Sequence, residues 1–276
     1  MHDVIPQGAT DAPPKARGRA IVVTSGKGGV GKTTMTANVG AALAASGAAV
    51  VLVDADVGLR NLDIVMGLEA RVRHHVLDVL EGLASVDEAL VSDKRVPSLK
   101  LLAAAQTREK DDVDTAAFRD LIGTLRDRFD YVLIDCPAGI EMGFANAIVA
   151  ADEAIVVCTP EVSAVRDADR VVGLLGDGRK VQLIVNRVRP EMVRKGKMLS
   201  VEDVNDILHL PLLGVIAEAP DVIVSTNRGQ PVALDPASEV GEAYRTIARR
   251  ITGQDTAAPE IPREKTLFGK LFGGRS

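Results

Sequence analysis

The sequence predicts an α/β fold, a doubly wound and mainly parallel sheet with helices on both faces, and three observations predict it. Short runs rich in Val, Ile and Leu recur without polar alternation, as strands covered on both faces require. Helix-length segments separate these runs, so consecutive parallel strands are joined by crossovers. Ser25, Asp54, Asp135 and Asn186 each close an apolar run, and sheets of this kind bind ligands beyond the carboxyl ends of their strands.

Taken in order, the first strand covers Ala20 to Thr24 and leads into a helix from Thr33 to Ala45. Ala49 to Asp54 forms the second strand. Asp114 to Arg128 reads as a helix, Tyr131 to Asp135 and Ala154 to Thr159 as strands, and Ser163 to Leu175 as a helix. Val181 to Asn186, the helix Ser200 to Leu208, the strand Leu212 to Ile216 and a last helix from Gly241 to Thr252 complete the set. Residues 1–19 read as a disordered leader, because they carry prolines and late basic residues but no apolar stretch of a secretory signal. Residues 20–252 form one domain. Residues 253–262, a Pro, Ala and polar stretch, form a linker, and residues 263–276 an amphipathic helix.

Composition narrows the class. The 276 residues are 46% hydrophobic, enough for one substantial core. Apolar runs stop at six residues, far short of the ~20 that cross a bilayer. Cys136 and Cys158 lie in separate strand-like runs, which argues against a disulfide framework or a zinc site and fits a reducing cytoplasm. The formal charge of −5 gives no support for specific nucleic-acid binding. Its distribution is uneven, since residues 261–276 hold four basic residues against Glu264, a net of +3 on an acidic body. That tail suits an anionic surface.

Gly26, Lys27, Gly28, Gly29, Val30, Gly31, Lys32, Thr33 and Thr34 follow the first strand and open into a helix, satisfying G-x-x-x-x-G-K-S/T. Glycines let backbone N–H groups close around phosphates, and the helix N-terminus adds its dipole. Lys32 supplies charge to the β and γ oxygens, and Thr33 offers its hydroxyl to Mg²⁺. Asn186 ends the fifth apolar run where a base would lie, and its amide can pair with the adenine edge; a turn-forming strand terminator is the other reading. Small GTPases resemble one another in an NKxD motif, and Arg189 stands here where its guanine-reading carboxylate would be, which favours ATP.

Lys27 lies outside the general pattern. A second lysine in KGGVGKT resembles the deviant Walker A loop of the superfamily that contains MinD, ParA and the nitrogenase iron protein. GLRNLD (Gly58 to Asp63), SAVRDADR (Ser163 to Arg170), LSVEDV (Leu199 to Val204) and LFGKLFGG (Leu267 to Gly274) resemble the MinD family specifically. The resemblance implies a P-loop NTPase that hydrolyses ATP with Mg²⁺, with Lys27 acting across a homodimer formed in the ATP state. It implies that Asp56 lies beside the attacking water, that Asp54 is structural or supports the metal from a distance, and that Asp135, beginning DCPAGIE, holds Mg²⁺ through water. Family members more often carry serine where Cys136 stands. The resemblance further implies that Asp167 and Asp169 contribute to a surface for a MinC-like division inhibitor and a MinE-like activator or other topological factor. The function so implied is placement of the division septum; a ParA-type partitioning ATPase and a flagellar-number ATPase are the alternatives.

The tail supports the same choice on physical grounds. At 100° per residue, Leu267, Phe268, Leu271 and Phe272 fall with Ile261 within one apolar arc of about 140°, with Lys270, Arg263 and Lys265 at its margins. A helix of this build lies on anionic lipid, and a helix docked on the protein's own core is the alternative. One such tail gains little beyond the cost of ordering it. Two tails on an ATP-held dimer bind together, so nucleotide state sets residence at the inner face of the cell membrane.

Overall fold

The computed structural model describes residues 16–259 apart from Leu59, 107–113, Ala138, Ile140, Glu141, Asp177 and Thr256. In chain order the strands are β1 (Arg19–Thr24), β2 (Val50–Asp54), β3 (Val91–Ser92), β4 (Leu99–Leu102), β5 (Tyr131–Asp135), β6 (Glu153–Cys158), β7 (Lys180–Val188) and β8 (Leu212–Ala217). The helices are α1 (Lys32–Ala45), α2 (Leu62–Met66), α3 (Val76–Leu80), α4 (Val86–Ala89), α5 (Thr115–Arg128), α6 (Met142–Ala150), α7 (Val162–Leu175), α8 (Pro190–Arg194), α9 (Val201–Leu208), α10 (Pro220–Asn227) and α11 (Glu239–Thr252).

One sheet carries all eight strands in the order β3-β4-β2-β5-β1-β6-β7-β8, parallel throughout except for β3 against β4. From β1 the chain first builds outward through β2, then returns through β5 and crosses to β6 on the other side. The carboxyl end of β1 is therefore the switch point, where a crevice opens beyond the sheet.

Two apolar layers flank the strands. Phe118, Leu125, Ile148, Val171 and Val204 bring α5, α6, α7 and α9 against one face. Met35, Leu43, Met66, Tyr244 and Ile247 bring α1, α2 and α11 against the other. Close approach depends on two residues without Cβ: an added methyl at Gly40 would lie 2.3 Å from Leu52 Cδ2, and one at Gly214 2.4 Å from Ile247 Cγ1. Asp114, Ser200 and Ser238 cap α5, α9 and α11 with their side chains, and Gly253 in the left-handed region ends α11.

The expected strands and helices are present; α2, α3, α4, α6, α8 and α10 were not expected, and the strands depart from expectation in two places. β3 and β4 form an edge that the apolar runs do not announce, because two and four residues are too short to show a pattern. β7 does not end at Asn186 but continues to Val188 through a bulge, with Arg187 at φ 57° and Val188 again paired to Ala217.

Candidate nucleotide site

The loop from Ser25 to Gly31 joins β1 to α1 at the switch point. Gly29 and Gly31 hold φ of 78° and 100°, which a side chain would strain. Gly31 is the N-cap of α1 and offers no side chain to the helix's first N–H groups, so those donors face the crevice. Lys32 stands at the first position of α1, buried, with its Nζ donating to Ser25 Oγ at 3.0 Å. Ser25 in turn donates to the Lys27 carbonyl at 2.8 Å. Burial lowers the Lys32 pKa, and Asp135, Cys136 and Asp56 oppose that shift.

Three aspartates gather at two neighbouring strand ends, and two of them, Asp135 and Asp56, act on this lysine. Asp54 and Asp135 are register partners in β2 and β5, and both are buried. Burial raises the Asp54 pKa, with Asp135 adding to the shift; its oxygens accept from the Asp56 N–H at 3.0 Å and the Leu62 N–H at 3.2 Å. Asp54 thus fastens the turn that carries Asp56 and caps α2, the structural reading of the two. Burial pushes the Asp135 carboxyl up to about 6, while hydrogen bonds from Thr33 and Thr36 and the charge of Lys32 hold it down. Thr36 donates to Asp135 at 3.3 Å. The Asp56 charge acts on Lys32, Asp54 and Asp135 together.

These residues fit a magnesium-bound polyphosphate. Uncapped helix amides and a buried ammonium suit phosphate oxygens, while the Thr33 hydroxyl beside the Asp135 carboxylate is a hard oxygen pair suited to Mg²⁺. Among the described residues no group of three His, Cys, Asp or Glu side chains could hold a metal ion by itself. Cys136 is no nucleophile here: burial drives its thiol up to about 12, and its N–H donates to the Val23 carbonyl at 3.2 Å.

The remaining candidates lie around this centre. Lys27 is half exposed and turns to the start of α7, its Nζ 3.4 Å from Glu161 and 3.1 Å from Ser163 Oγ. The loop itself sits on α7, since a methyl at Gly26 would lie 2.1 Å from the Asp167 carbonyl carbon. Asp167 is half-buried beside that contact and Asp169 is exposed. Asn186 is buried and donates from Nδ2 to the Val30 carbonyl at 2.8 Å. A cavity of about 580 Å³ lies next to the loop rather than over it, with Glu161, Arg187, Met192, Met198, Asp203 and Glu218 among its walls. Leu267, Phe268, Leu271 and Phe272 lie outside the described residues. Among the described residues no helix is long and apolar enough to cross a membrane.

Sequence reasoning missed three supporting residues: Ser25 as the seat of Lys32, Thr36 as a second donor to Asp135, and Glu161 as the partner of Lys27. Only Thr36 carried a local signal, one turn beyond Lys32 on the same helix.

A family model described as an AAA domain matches residues 18–183. A septum site-determining protein MinD of Synechocystis is 57% identical over 240 residues, which cover 86% of this chain and 90% of that protein. Among solved structures, the chain is similar to a MinC:MinD cell division protein complex of Aquifex aeolicus, at a TM-score of 0.81 and 47% identity, covering 90% of this chain and 99% of that one. It is also similar to a septum site-determining protein MinD of Pyrococcus horikoshii complexed with Mg-ADP, at a TM-score of 0.77 and 33% identity, covering 84% of this chain and 95% of that one.

Proposed function

This chain belongs to the MinD family of septum site-determining ATPases, and on that premise we propose that ATP clamps two copies of it together, seats them on the membrane and recruits a MinC-like division inhibitor. It is a P-loop ATPase. The loop amides and Lys32 hold the phosphates, and Thr33 and Asp135 hold Mg²⁺. Bound Mg²⁺ supplies positive charge to the phosphate oxygens. Asp56, carried on the turn that Asp54 fastens, orients the attacking water. Lys27 leaves Glu161 and Ser163 and reaches the partner's phosphates, where its charge counts most as negative charge develops.

The observation that carries the coupling to partners is the seat of the loop on α7. The Gly26 backbone lies against Asp167, so a loop that tightens around phosphate moves the helix bearing Asp167 and Asp169. A MinC-like inhibitor and a MinE-like activator or other topological factor read that surface. The tail, with Leu267, Phe268, Leu271 and Phe272, grips anionic lipid in pairs, and hydrolysis frees both tails by loosening the dimer.

Co-sedimentation with anionic liposomes tests this reading. The full chain pellets with lipid in ATP and not in ADP, and removal of residues 267–276 abolishes pelleting while leaving nucleotide affinity intact. Equal pelleting of the shortened chain rejects the anchor, and pelleting independent of nucleotide rejects the clamp.

A further inference from the structure

The amide of Asn186 is engaged with the phosphate loop, 156 positions away in the chain. The bulge in β7 and the left-handed turn at Arg187 set this up, by lifting Asn186 out of regular pairing with β8 at the strand's end. Its Nδ2 then reaches the Val30 carbonyl at 2.8 Å and occupies the space beside Gly31, where an added methyl would come within 2.6 Å of that nitrogen. Asn186 is 6% exposed and Val30 3%, so water does not compete for the bond.

The Val30 carbonyl and the Gly31 N–H belong to one peptide plane. In a trans peptide the two point in opposite directions, so fixing the carbonyl fixes the N–H. The next peptide is fixed as well, because the Gly31 carbonyl accepts from the Met35 N–H at 2.9 Å in the first turn of α1. Gly31 would otherwise turn freely, having no side chain to restrict either plane.

We propose that Asn186 is a positioning residue that holds the Val30–Gly31 peptide in its phosphate-binding orientation, acting on the phosphates through the loop instead of on the base. This rests on the nucleotide-binding reading above. It makes the strand end reserved for the base also the support of the phosphate cradle, with donors oriented before the ligand arrives.

The test compares Mg²⁺ complexes of ATP, GTP and inorganic tripolyphosphate on the full chain by calorimetry. Asn186→Ala and Asn186→Asp each weaken all three by about tenfold, the worth of one buried hydrogen bond, and leave the ATP-to-GTP ratio where it was. Hydrogen exchange at residues 28–32 of the nucleotide-free variants rises while the strands keep their protection. A loss confined to ATP, with tripolyphosphate unaffected, assigns Asn186 to the base and overturns the proposal, as does wild-type affinity for all three. A measurement on the unaltered chain covers variants that fail to fold: the Asn186 side-chain N–H resonance stays at one position with tripolyphosphate and with ATP, and a shift produced by ATP alone overturns the proposal. If the unaltered chain binds none of the three, the nucleotide reading fails with it; if it binds them and the variants match, only the role of Asn186 fails.

Discussion

Replacing Gly26 with alanine tests how the phosphate loop and α7 are joined. Gly26 has no positive φ, so its backbone tolerates alanine and space alone decides the outcome. The new methyl would lie 2.1 Å from Asp167 C, 2.2 Å from Asp167 O and 2.5 Å from Ala168 N. Ordinary contact begins at 3.4 Å, so the loop and the helix must separate by about 1.3 Å, the difference between 3.4 and 2.1. All three atoms are backbone, and no rotamer change relieves them. Moving α7 disturbs Ala164, Val165, Ala168 and Val171, each almost fully buried against the sheet. Overpacking of this kind costs about 1–3 kcal/mol, and the rigid obstacle places Gly26→Ala at the upper end. The stiffer unfolded chain returns about 0.4–1 kcal/mol. The net loss is about 2 kcal/mol, a fall in Tm of roughly 4–8 °C for a domain of this size. Thermal unfolding of the nucleotide-free protein measures it, with Gly29→Ala as control. Gly29 has nothing within 4 Å, and its φ of 78° adds only backbone strain of about 1–2 kcal/mol, which the same unfolded-state term offsets in part. A Gly26→Ala protein that melts with the wild type or above it refutes the contact, and with it the route from loop to partner surface.

Two further outcomes follow from the buried charges. Burial lifts the Asp135 carboxyl to about 6, from about 3.9 in an unfolded chain. A raised folded-state pKa means that the group's stabilising contribution is complete below pH 4 and is lost as the pH rises through 6, at most about 3 kcal/mol for two units. In urea denaturation without nucleotide, Asp135→Asn therefore flattens the decline in stability between pH 4.5 and 7.5, and an unchanged slope refutes the assignment. At the amino ends of the strands, opposite the phosphate loop, Arg19 donates to both Glu153 oxygens at 2.6 and 2.7 Å and to the Ile251 carbonyl at 2.6 Å. Arg19→Ala leaves half-buried Glu153 with Lys180 alone among the described residues and uncaps the end of α11, a loss of about 1–3 kcal/mol in unfolding free energy by urea denaturation with nucleotide affinity unchanged. A loss under about 0.5 kcal/mol marks the cluster as a surface pair of little weight.

The phosphate loop, the strand-end positions of Asp54 and Asp135 and the spans of α5 and α9 were legible in the sequence, because each is set within a few adjacent residues or one local pattern. Eight consecutive positions fix where the loop's glycines, Lys32 and Thr33 fall, and a strand before and a helix after complete the context. Apolar runs of five or six residues declared the buried parallel strands, whereas β3 and β4, with two and four, declared nothing. Partnership across the sheet could not be read in this way. That Lys27 sits on Glu161 and Ser163, that Gly26 abuts Asp167 and that Asn186 grips Val30 all depend on which strands become neighbours. Local spacing determines the kind of element and the chemistry it carries, since steric and hydrogen-bonding preferences act over a turn or a pleat. Only the packed sheet, by bringing β5, β1, β6 and β7 side by side, decided which of those groups touch.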